Sequence, residues 1–381
     1  MLRIALRNAL LLDPEAAAPL RGGLLLENGR IARRLEPAEP EPAAAQCIDL
    51  AGRALAPGFL DVHYHGELIV GAPRRAAAAL GRVATGLLQD GVTGFLPTTI
   101  AWPEPELLAR VTALAEACAS AQPAGAAVLG LHLEGPWIAP DAAGAQPPAG
   151  IRPFAPAEAA LLLERADGLV RMVTLAPELP GAADLLAQLG RRGIVAALGH
   201  SRADAEQVAA AVADGARHVT HLWNAMSGIH QRAPGLAGAA LADDRLSCDL
   251  ICDGVHVHPL AVRLAALTKR EGLLLITDRV VAGGGFGAGA LVDDGTALRL
   301  ADGRLAGSRL TLDRAVRNAE SFGAMTQLEA IAAATLRPAR LLGLERERGT
   351  LRPGARADLV VLDAAGAVAE TWLAGERAWA A

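Results

Sequence analysis

Histidines and carboxylates stand at the ends of short apolar runs through the middle of this sequence, as in GFLDVHYHG, AAVLGLHLEGPW and GIVAALGHS. If these runs are neighbouring parallel strands, their carboxyl ends meet at one rim, where the side chains converge. Imidazole nitrogen and carboxylate oxygen together suit a borderline divalent ion such as Zn or Fe. The run ends therefore predict a metal site. The residues at those ends are His63, His65, His132, Glu134, His200, His221, Asn224, Asp253, His256 and Asp278.

The pattern His-x-His at His63 and His65 places two imidazoles on one face of a strand. Side chains alternate with a period of two, so both rings point inward while Tyr64 points outward. Two histidines that face one interior without a metal would be partly desolvated and poorly satisfied, so the pair favours a metal site. The same periodicity puts His132 and Glu134 on one face, where we expect only one of them to reach the ion.

Three other histidines fit structural roles better. His218 lies three residues before His221 and therefore faces the opposite side of its strand. His230 and His258 lie beyond strand ends, where we expect solvated loops.

Asp278 follows the apolar run Leu-Leu-Leu-Ile-Thr. A carboxylate at the end of so apolar a strand needs a cation or a proton-transfer role to stabilise it. A carboxylate beside a metal site can take a proton from water and later deliver it to a leaving group, so we predict that Asp278 is a general base. The alternative is a structural ion pair with Arg279.

Eight apolar runs alternate with Ala/Leu/Arg-rich stretches of helical character between Pro57 and about Leu342. Strands that are apolar throughout, rather than in every second position, predict a parallel sheet that is buried on both faces. The fold class is therefore α/β, a (β/α)8 TIM barrel. The two chain ends show strand and hairpin-turn signals and are expected to form one small β-sandwich domain. The predicted domains are residues 1–55 with 346–381, and the barrel over 56–345.

Composition excludes several classes of protein. The 381 residues are 52% hydrophobic and 20% charged, which is incompatible with disorder. A net charge of -5 offers no basic field for nucleic acid. No run approaches the roughly 18 apolar residues of a membrane-spanning helix, and no signal peptide is evident, so we predict a soluble cytoplasmic protein without membrane partners. The four scattered cysteines, without CxxC spacing, predict reduced thiols.

A series of motifs, PGFLDVHYHG, HLEGPW, LGHS, THLWNAM, RAPG, DGVH, TD, LAGSRLTLDRAVRN and the closing GTLRPGARADLVVLD, resembles the N-acetylglucosamine-6-phosphate deacetylases of the amidohydrolase superfamily. The resemblance covers nearly the whole chain in order, which makes the set far more specific than any one motif. It implies a hydrolase of linear amides in amino sugar metabolism. The expected reaction converts N-acetylglucosamine 6-phosphate into glucosamine 6-phosphate and acetate.

The resemblance implies that Glu134, His200 and His221 hold a catalytic divalent metal, with Asp278 as the acid/base. His63 and His65 match a first-strand pair that some members use for a second ion, so one or two ions per subunit are expected. Zn is the expected metal, with Fe, Co and Mn as alternatives. The sole lysine precedes the eighth strand and cannot serve as a carboxylated bridge, so Glu134 would have to bridge two ions.

The resemblance also assigns residues to the sugar phosphate. His256 is expected to act in catalysis and binding by donating to a hydroxyl or to the acetyl carbonyl, two options that stay open. Arg232 belongs to a loop that reaches the neighbouring subunit's site in similar proteins, which implies a homodimer. The implied substrate residues are Ala145, Asn224, Ala225, Arg232, His256, Leu305, Ala306, Gly307 and Ser308.

Two departures from the family pattern affect the predicted specificity. Gly144-Ala145-Gln146 stands where a G-x-H turn is usual, so Gln146 replaces a substrate-contacting histidine. The segment TDRVVAGGG is predicted to place Arg279 beside the chemistry. A galactosamine epimer or an altered 6-substituent is therefore an alternative substrate.

Two further hypotheses remain open at this point. In the first, the metal barrel hydrolyses a non-phosphorylated amide, such as a cyclic amide or an N-acyl amino acid, and is indifferent to substrate phosphate. In the second, the protein is a catalytically silent sugar-phosphate binder, which would have no need of an acid/base such as Asp278.

Overall fold

The structure is a computed structural model that describes residues 3–43, 46–120, 125–281, 285–286 and 289–381. Within these ranges no helix is long and apolar enough to cross a membrane. The strands, in chain order, are β1 (Arg3–Leu11), β2 (Leu20–Glu27), β3 (Arg30–Leu35), β4 (Gln46–Asp49), β5 (Ala54–Pro57), β6 (Phe59–Gly66), β7 (Val92–Pro97), β8 (Ala127–Val128), β9 (Leu131–Glu134), β10 (Val170–Leu175), β11 (Val195–Leu198), β12 (His218–Val219), β13 (Ser247–Ile251), β14 (Leu273–Ile276), β15 (Arg279–Val280), β16 (Gly285–Phe286), β17 (Gly289–Ala290), β18 (Val292–Asp293), β19 (Leu298–Arg299), β20 (Leu359–Leu362), β21 (Val368–Leu373) and β22 (Glu376–Ala380). The helices are α1 (Pro73–Gly86), α2 (Glu104–Ser120), α3 (Pro156–Arg165), α4 (Ala182–Arg191), α5 (Ala205–Ala213), α6 (Gly235–Ala242), α7 (Pro259–Lys269), α8 (Leu312–Ser321), α9 (Gln327–Ala334) and α10 (Leu336–Leu341).

The predicted barrel is present. One parallel sheet runs β14-β13-β12-β11-β10-β9, and a second runs β15-β6-β7-β8. A parallel bridge between Thr98 and His132 joins the sheets on one side. On the other side the Asp278 N–H donates to the His63 carbonyl over 2.9 Å. The strands therefore close on themselves, and their carboxyl ends form a single rim.

Burial explains why these runs form the inner wall. All four residues of β14, Leu273–Ile276, are buried, as expected for a strand with a core on both faces. Helix α4 packs on the barrel through one apolar side: its buried residues include Leu185, Leu186 and Leu189, which share the inner face at helical spacing. The prediction of a (β/α)8 fold is confirmed.

The two chain ends meet in another sheet, with the order β22-β21-β20-β5-β1-β2-β3 and β4 paired to β1. Antiparallel pairing of β20 with β5 aligns Leu359 with Pro57 and so joins the tail to the start of the chain. A separate apolar cluster that includes Leu6, Leu55 and Trp372 fills this sheet's core. The boundaries after residues 55 and 345 stay predictions.

Lys269, the only lysine in the sequence, ends α7 and is 5% exposed. Its Nζ donates to the carbonyls of Ala240 over 2.9 Å and Asp243 over 2.7 Å, at the C-terminus of α6. A cation that satisfies the last carbonyls of a helix stabilises that terminus. Lys269 therefore ties α7 to α6.

Candidate metal centre and substrate cavity

Six of the predicted side chains converge at the carboxyl-end rim of the barrel. Each comes from the end of a different run, except that His63 and His65 share β6, so the site is assembled by the closing of the barrel. These side chains belong to His63, His65, Glu134, His200, His221 and Asp278.

Three of them form a tight triangle. Glu134 Oε1 lies 3.1 Å from His200 Nε2 and 3.0 Å from His221 Nε2, and the two Nε2 atoms are 3.1 Å apart. Ligands that sit about 2.0–2.1 Å from one ion lie about 3 Å apart when the angles at the ion are close to a right angle. The triangle therefore fits the ligand set of a single divalent ion.

A second group shares Glu134 with the first. His63 Nε2 and His65 Nε2 are 3.2 Å apart, and they lie 3.5 Å from Glu134 Oε1 and 3.4 Å from Glu134 Oε2, respectively. His65 Nε2 also lies 3.2 Å from Asp278 Oδ1. The His-x-His pair points into the barrel as predicted, while Tyr64 packs against Phe95.

Hydrogen bonds orient two of the imidazoles for an ion. His200 Nδ1 is 2.9 Å from the Ala142 carbonyl, and His65 Nδ1 is 3.1 Å from the Thr98 carbonyl. A carbonyl can only accept, so these Nδ1 atoms carry a proton, and Nε2 is the nitrogen that offers its lone pair to an ion when the ring is neutral. This arrangement is typical of metal-binding histidines.

The charges of the buried centre also favour a cation. Burial raises the pKa of the Glu134 carboxyl, but the surrounding histidines, His63 first, outweigh burial and hold that pKa well below its usual range. Burial likewise opposes ionisation of Asp278, yet His63 and His65 lower its pKa. Desolvation opposes protonation of His65, but the two carboxylates raise its pKa to about 10. Two ionised carboxylates at the foot of one cavity thus attract positive charge.

Three site residues adopt left-handed backbone conformations. The φ angles are 47° at His200, 35° at His221 and 48° at Asp278. Such conformations cost on the order of 1–3 kcal/mol each in a residue other than glycine and persist where surrounding bonds enforce them. At Asp278 the enforcing bonds are clear, because its N–H donates to the His63 carbonyl and its carbonyl accepts from Ser308 N over 2.7 Å.

Two fully buried carboxylates beneath the rim, Asp61 and Asp249, were missed by the sequence reasoning. Asp61 accepts from His63 N–H over 3.2 Å and from Thr277 Oγ1 over 2.5 Å. Asp249 accepts from the His221 N–H. Each therefore holds the backbone of a histidine of the site. The available signal was an acid inside an otherwise apolar strand, as in FLDVH and SCDLI.

The remaining histidines behave as expected. His132 does not join the cluster with Glu134; its Nε2 bonds Thr174 Oγ1 over 2.8 Å, and burial lowers its pKa well below the usual value. His218 is outside the two metal-ligating groups and pairs with Asp249 Oδ2 over 3.0 Å. His230 and His258 are exposed.

A cavity of about 270 Å³ opens above this cluster of histidines and carboxylates. Most of the predicted substrate residues line it: Ala145, Asn224, Ala225, His256, Leu305 and Gly307. Ala306 does not, because it is fully buried and its N–H donates to the Leu298 carbonyl. Ser308 is also buried, and its side chain bonds the Thr277 carbonyl. Arg232 is exposed and stands outside the lining formed by the described residues of its own chain.

His256 reaches the cavity with one nitrogen free. Its Nδ1 lies 2.6 Å from Asp253 Oδ2, whereas its Nε2 is buried without a hydrogen-bond partner among the described residues. Burial raises the pKa of Asp253, but the bond from His256 outweighs it and the net pKa is lowered. An ionised Asp253 thus fixes the ring and leaves Nε2 for a ligand.

Arg304 is a cavity-lining cation that the sequence reasoning missed. Its guanidinium donates to the Gly144 carbonyl and pairs with Asp302 over 2.7 Å. Gly144 (φ 57°) lies so close to the site that a Cβ there would be 3.4 Å from both Ala225 Cβ and His200 Cε1. Arg304 therefore joins two cavity walls that are far apart in sequence.

The structure adds detail to one expectation about specificity residues and corrects another. Gln146 lines the cavity, and its buried amide also donates to the Glu134 carboxylate. The Arg279 side chain does not sit beside the chemistry, because its Nη1 pairs with Asp90 Oδ2 over 2.6 Å. Arg279 thus pairs with Asp90, not with Asp278. Residues 282–284 of the same segment lie outside the described ranges.

Several known proteins resemble this chain over most of its length. Residues 54–378 match the Amidohydrolase family. The chain is 40% identical over 387 residues to N-acetylglucosamine-6-phosphate deacetylase from Homo sapiens, covering 95% of this chain and 94% of that one. It is 38% identical over 344 residues to N-acetylgalactosamine-6-phosphate deacetylase from Escherichia coli O157:H7, covering 89% and 91%. A mutant of the Mycobacterium smegmatis N-acetyl-D-glucosamine-6-phosphate deacetylase, solved in complex with N-acetyl-D-glucosamine-6-phosphate, aligns with a TM-score of 0.89 at 33% identity over 99% and 100% of the chains.

Proposed function

This chain belongs to the amidohydrolase family, and we propose that it hydrolyses the N-acetyl group of N-acetylglucosamine 6-phosphate. The products are glucosamine 6-phosphate and acetate. The observation that carries the proposal is the position of the Asp278 carboxylate. It lies 3.2 Å from His65 Nε2, beside the Glu134/His200/His221 triangle, at the foot of a cavity large enough for a hexose. Relatives that are named N-acetylglucosamine-6-phosphate deacetylases, and that align with nearly the whole chain, support the same substrate.

In this proposal Glu134, His200 and His221 hold a divalent ion, and His63 and His65 with Glu134 offer room for a second. A bound ion polarises the acetyl carbonyl and acidifies water. Mixed imidazole and carboxylate donors support Zn as the resident metal, with Fe, Co and Mn as alternatives.

Asp278 carries the proton in the proposed reaction. Its ionised carboxylate takes a proton from the attacking water as the C–O bond forms, and delivers that proton to the amine nitrogen as the C–N bond breaks. The left-handed backbone at Asp278, bonded on both sides to His63 and Ser308, holds the carboxylate in place for both transfers.

The free Nε2 of His256 supports a role in binding the acetyl oxygen or a sugar hydroxyl. Arg304 supports recognition of an anion, because a guanidinium at a cavity wall matches phosphate geometry. The lining residues Asn224, Ala225 and Leu305 are proposed to contact the sugar.

The test is acetate release by the metal-replete protein from three compounds in parallel: N-acetylglucosamine 6-phosphate, N-acetylgalactosamine 6-phosphate and unphosphorylated N-acetylglucosamine. We expect strong preference for the first. Preference for the second would identify the epimer named for the Escherichia coli relative. Equal activity with and without phosphate would favour a non-phosphorylated amide, and no release from any compound would refute the proposed substrate.

We also propose that the protein is a cytoplasmic homodimer in which Arg232 completes the neighbouring site. Large apolar side chains remain exposed on one face of α7, where Leu260, Leu264 and Leu267 are 65%, 43% and 71% exposed. Ile229, on the same loop as Arg232, is 51% exposed. Exposed apolar groups that cluster in this way are typical of a protein–protein contact.

A complementation experiment tests the exchange of Arg232. Asp278→Asn and Arg232→Met subunits are mixed by co-expression and assayed together. In a mixed dimer, one of the two sites has an intact Asp278 and receives an intact Arg232, so equal mixing should restore about a quarter of wild-type activity. If Arg232 serves its own subunit, the activity of the mixture will not exceed the activity of the Arg232→Met protein that it contains.

A further inference from the structure

The Gln146 side chain is held at both ends of its amide. Its Oε1 accepts from the Ala101 N–H over 2.8 Å, and its Nε2 donates to Glu134 Oε2. A backbone N–H can only donate, so the Ala101 contact fixes which end of the amide faces the carboxylate. The Gln146 N–H is therefore always directed at Glu134 Oε2.

This contact makes the two oxygens of Glu134 unequal. Oε1 faces His200 and His221 over 3.1 and 3.0 Å, whereas Oε2 faces Gln146, with His65 Nε2 at 3.4 Å. A hydrogen bond on Oε2 takes one of that oxygen's lone pairs and stops rotation of the carboxylate. The amide carries no formal charge, so it does not repel a cation bound at Glu134.

We propose that Gln146 is a positioning residue that aims Glu134 Oε1 at His200 and His221 and makes this triangle the tighter of the two metal sites. The competing group has only longer contacts with Glu134: His63 Nε2 lies 3.5 Å from Oε1, and His65 Nε2 lies 3.4 Å from the Oε2 that Gln146 also bonds. The proposal rests on metal binding at this centre, as in the proposed function, and is independent of which sugar is the substrate.

The experiment is a metal titration of the full chain after chelation. Zn²⁺ and, separately, Co²⁺ are added in competition with a chromophoric chelator to wild type and to Gln146→Met, which has nearly the same size but no amide. Loss of an outer hydrogen bond to a ligand typically weakens metal affinity by about 10–100-fold. We expect this loss of affinity at the tighter site. The affinities for the first and second ions should then differ less, and the Co²⁺ absorption spectrum should change.

Thr99→Val is the matched control. Thr99 is buried two residues before Ala101, and its Oγ1 has no hydrogen-bond partner among the described residues, so the substitution perturbs the same loop without touching Glu134. The control should bind both metals as wild type does. Wild-type affinity and spectrum in Gln146→Met would overturn the proposal, and so would an equal loss in Thr99→Val, because that would indicate a general loop effect.

If Gln146→Met does not fold, Gln146→Asn gives the same comparison, since its amide is one methylene too short to keep both contacts. Weaker binding is again expected, and unchanged binding would overturn the proposal. A failed deacetylase assay together with weakened metal binding would refute the substrate and leave the role of Gln146 standing. Deacetylase activity in wild type, together with unchanged metal binding in the Gln146 variant, would support the substrate and refute the role of Gln146.

Discussion

The buried pair of Asp249 and His218 supports a quantitative prediction. Asp249 accepts two hydrogen bonds, one from the His221 N–H and one from His218 Nε2 over 3.0 Å, and both side chains have no exposure to solvent. Asp249→Leu removes both acceptors and leaves the two donors buried without a partner. The substitution should therefore destabilise the fold and loosen the strained backbone at His221.

The size of the effect follows from these contacts. Hydrogen bonds to a charged group contribute about 1.5–3 kcal/mol each, so two give about 3–6 kcal/mol. Relief of carboxylate desolvation offsets part of this, which leaves about 3–5 kcal/mol for breaking a buried pair. Unfolding entropy of about 2.1 cal/mol/K per residue over 381 residues gives about 0.8 kcal/mol/K. The expected drop in Tm is about 4–6 °C.

Asp249→Asn is the matched control. Its amide oxygen still accepts from the His221 N–H, and its amide N–H can donate to His218 Nε2 once the ring proton moves to Nδ1, where Ser247 Oγ lies 2.8 Å away. We expect a cost near 1 kcal/mol, typical of exchanging a charged for a neutral hydrogen bond.

The assay is thermal unfolding of wild type and both variants, followed by circular dichroism, with and without added Zn²⁺. The Asp249→Leu protein should also bind Zn²⁺ more weakly, because His221 is less well held. Added Zn²⁺ should therefore raise its Tm by less than it raises the Tm of wild type. A Tm for Asp249→Leu within about 1 °C of wild type, or equal losses in Leu and Asn variants, would refute this account of the pair.

Three other predictions concern single side chains. Asp278→Asn should lower turnover by about 10²–10⁴-fold, the usual contribution of an acid/base, with unchanged metal content by elemental analysis; loss of the metal would contradict the assigned role. Arg304→Met should raise KM for the phosphorylated sugar about tenfold, as expected for a lost charge-assisted contact, while kcat stays close to wild type. The control is Arg309→Met, which removes an exposed guanidinium paired with Asp293 and should change neither KM nor kcat. Lys269→Met should lower Tm by about 4–7 °C, since two charge-assisted bonds to helix carbonyls are lost; a Tm equal to wild type would show that the helix end needs no cation.

The sequence was sufficient to predict the barrel and the convergence of histidines and carboxylates at its rim, because both depend on simple periodicities. Apolar runs become parallel strands, and the residues that end those runs meet at one rim whatever the details of the helices. The spacing of His63 and His65 predicted a shared face for the same reason, and their Nε2 atoms are 3.2 Å apart.

Side chains on loops were harder to predict, because the position of a loop residue in the sequence does not determine where its side chain points. Gln146 lines the substrate cavity, but the bond from its amide to Glu134 could not be predicted from its position in the sequence. Arg304 was missed because its partner, the Gly144 carbonyl, lies 160 residues away along the chain. Arg279 was expected at the chemistry, but the carboxylate of Asp90 draws its side chain elsewhere.

The burial of Lys269 has a consequence for chemical labelling. Because it is the sole lysine and its Nζ is occupied by two carbonyls of α6, the folded chain offers no free lysine amine to acylating dyes or crosslinkers. Acylation of this amine would record an event in which α7 separates from α6, since the folded contacts leave the amine inaccessible. The rate of labelling in native buffer would thus measure the local opening of one helix, without any engineered cysteine or background from a second lysine.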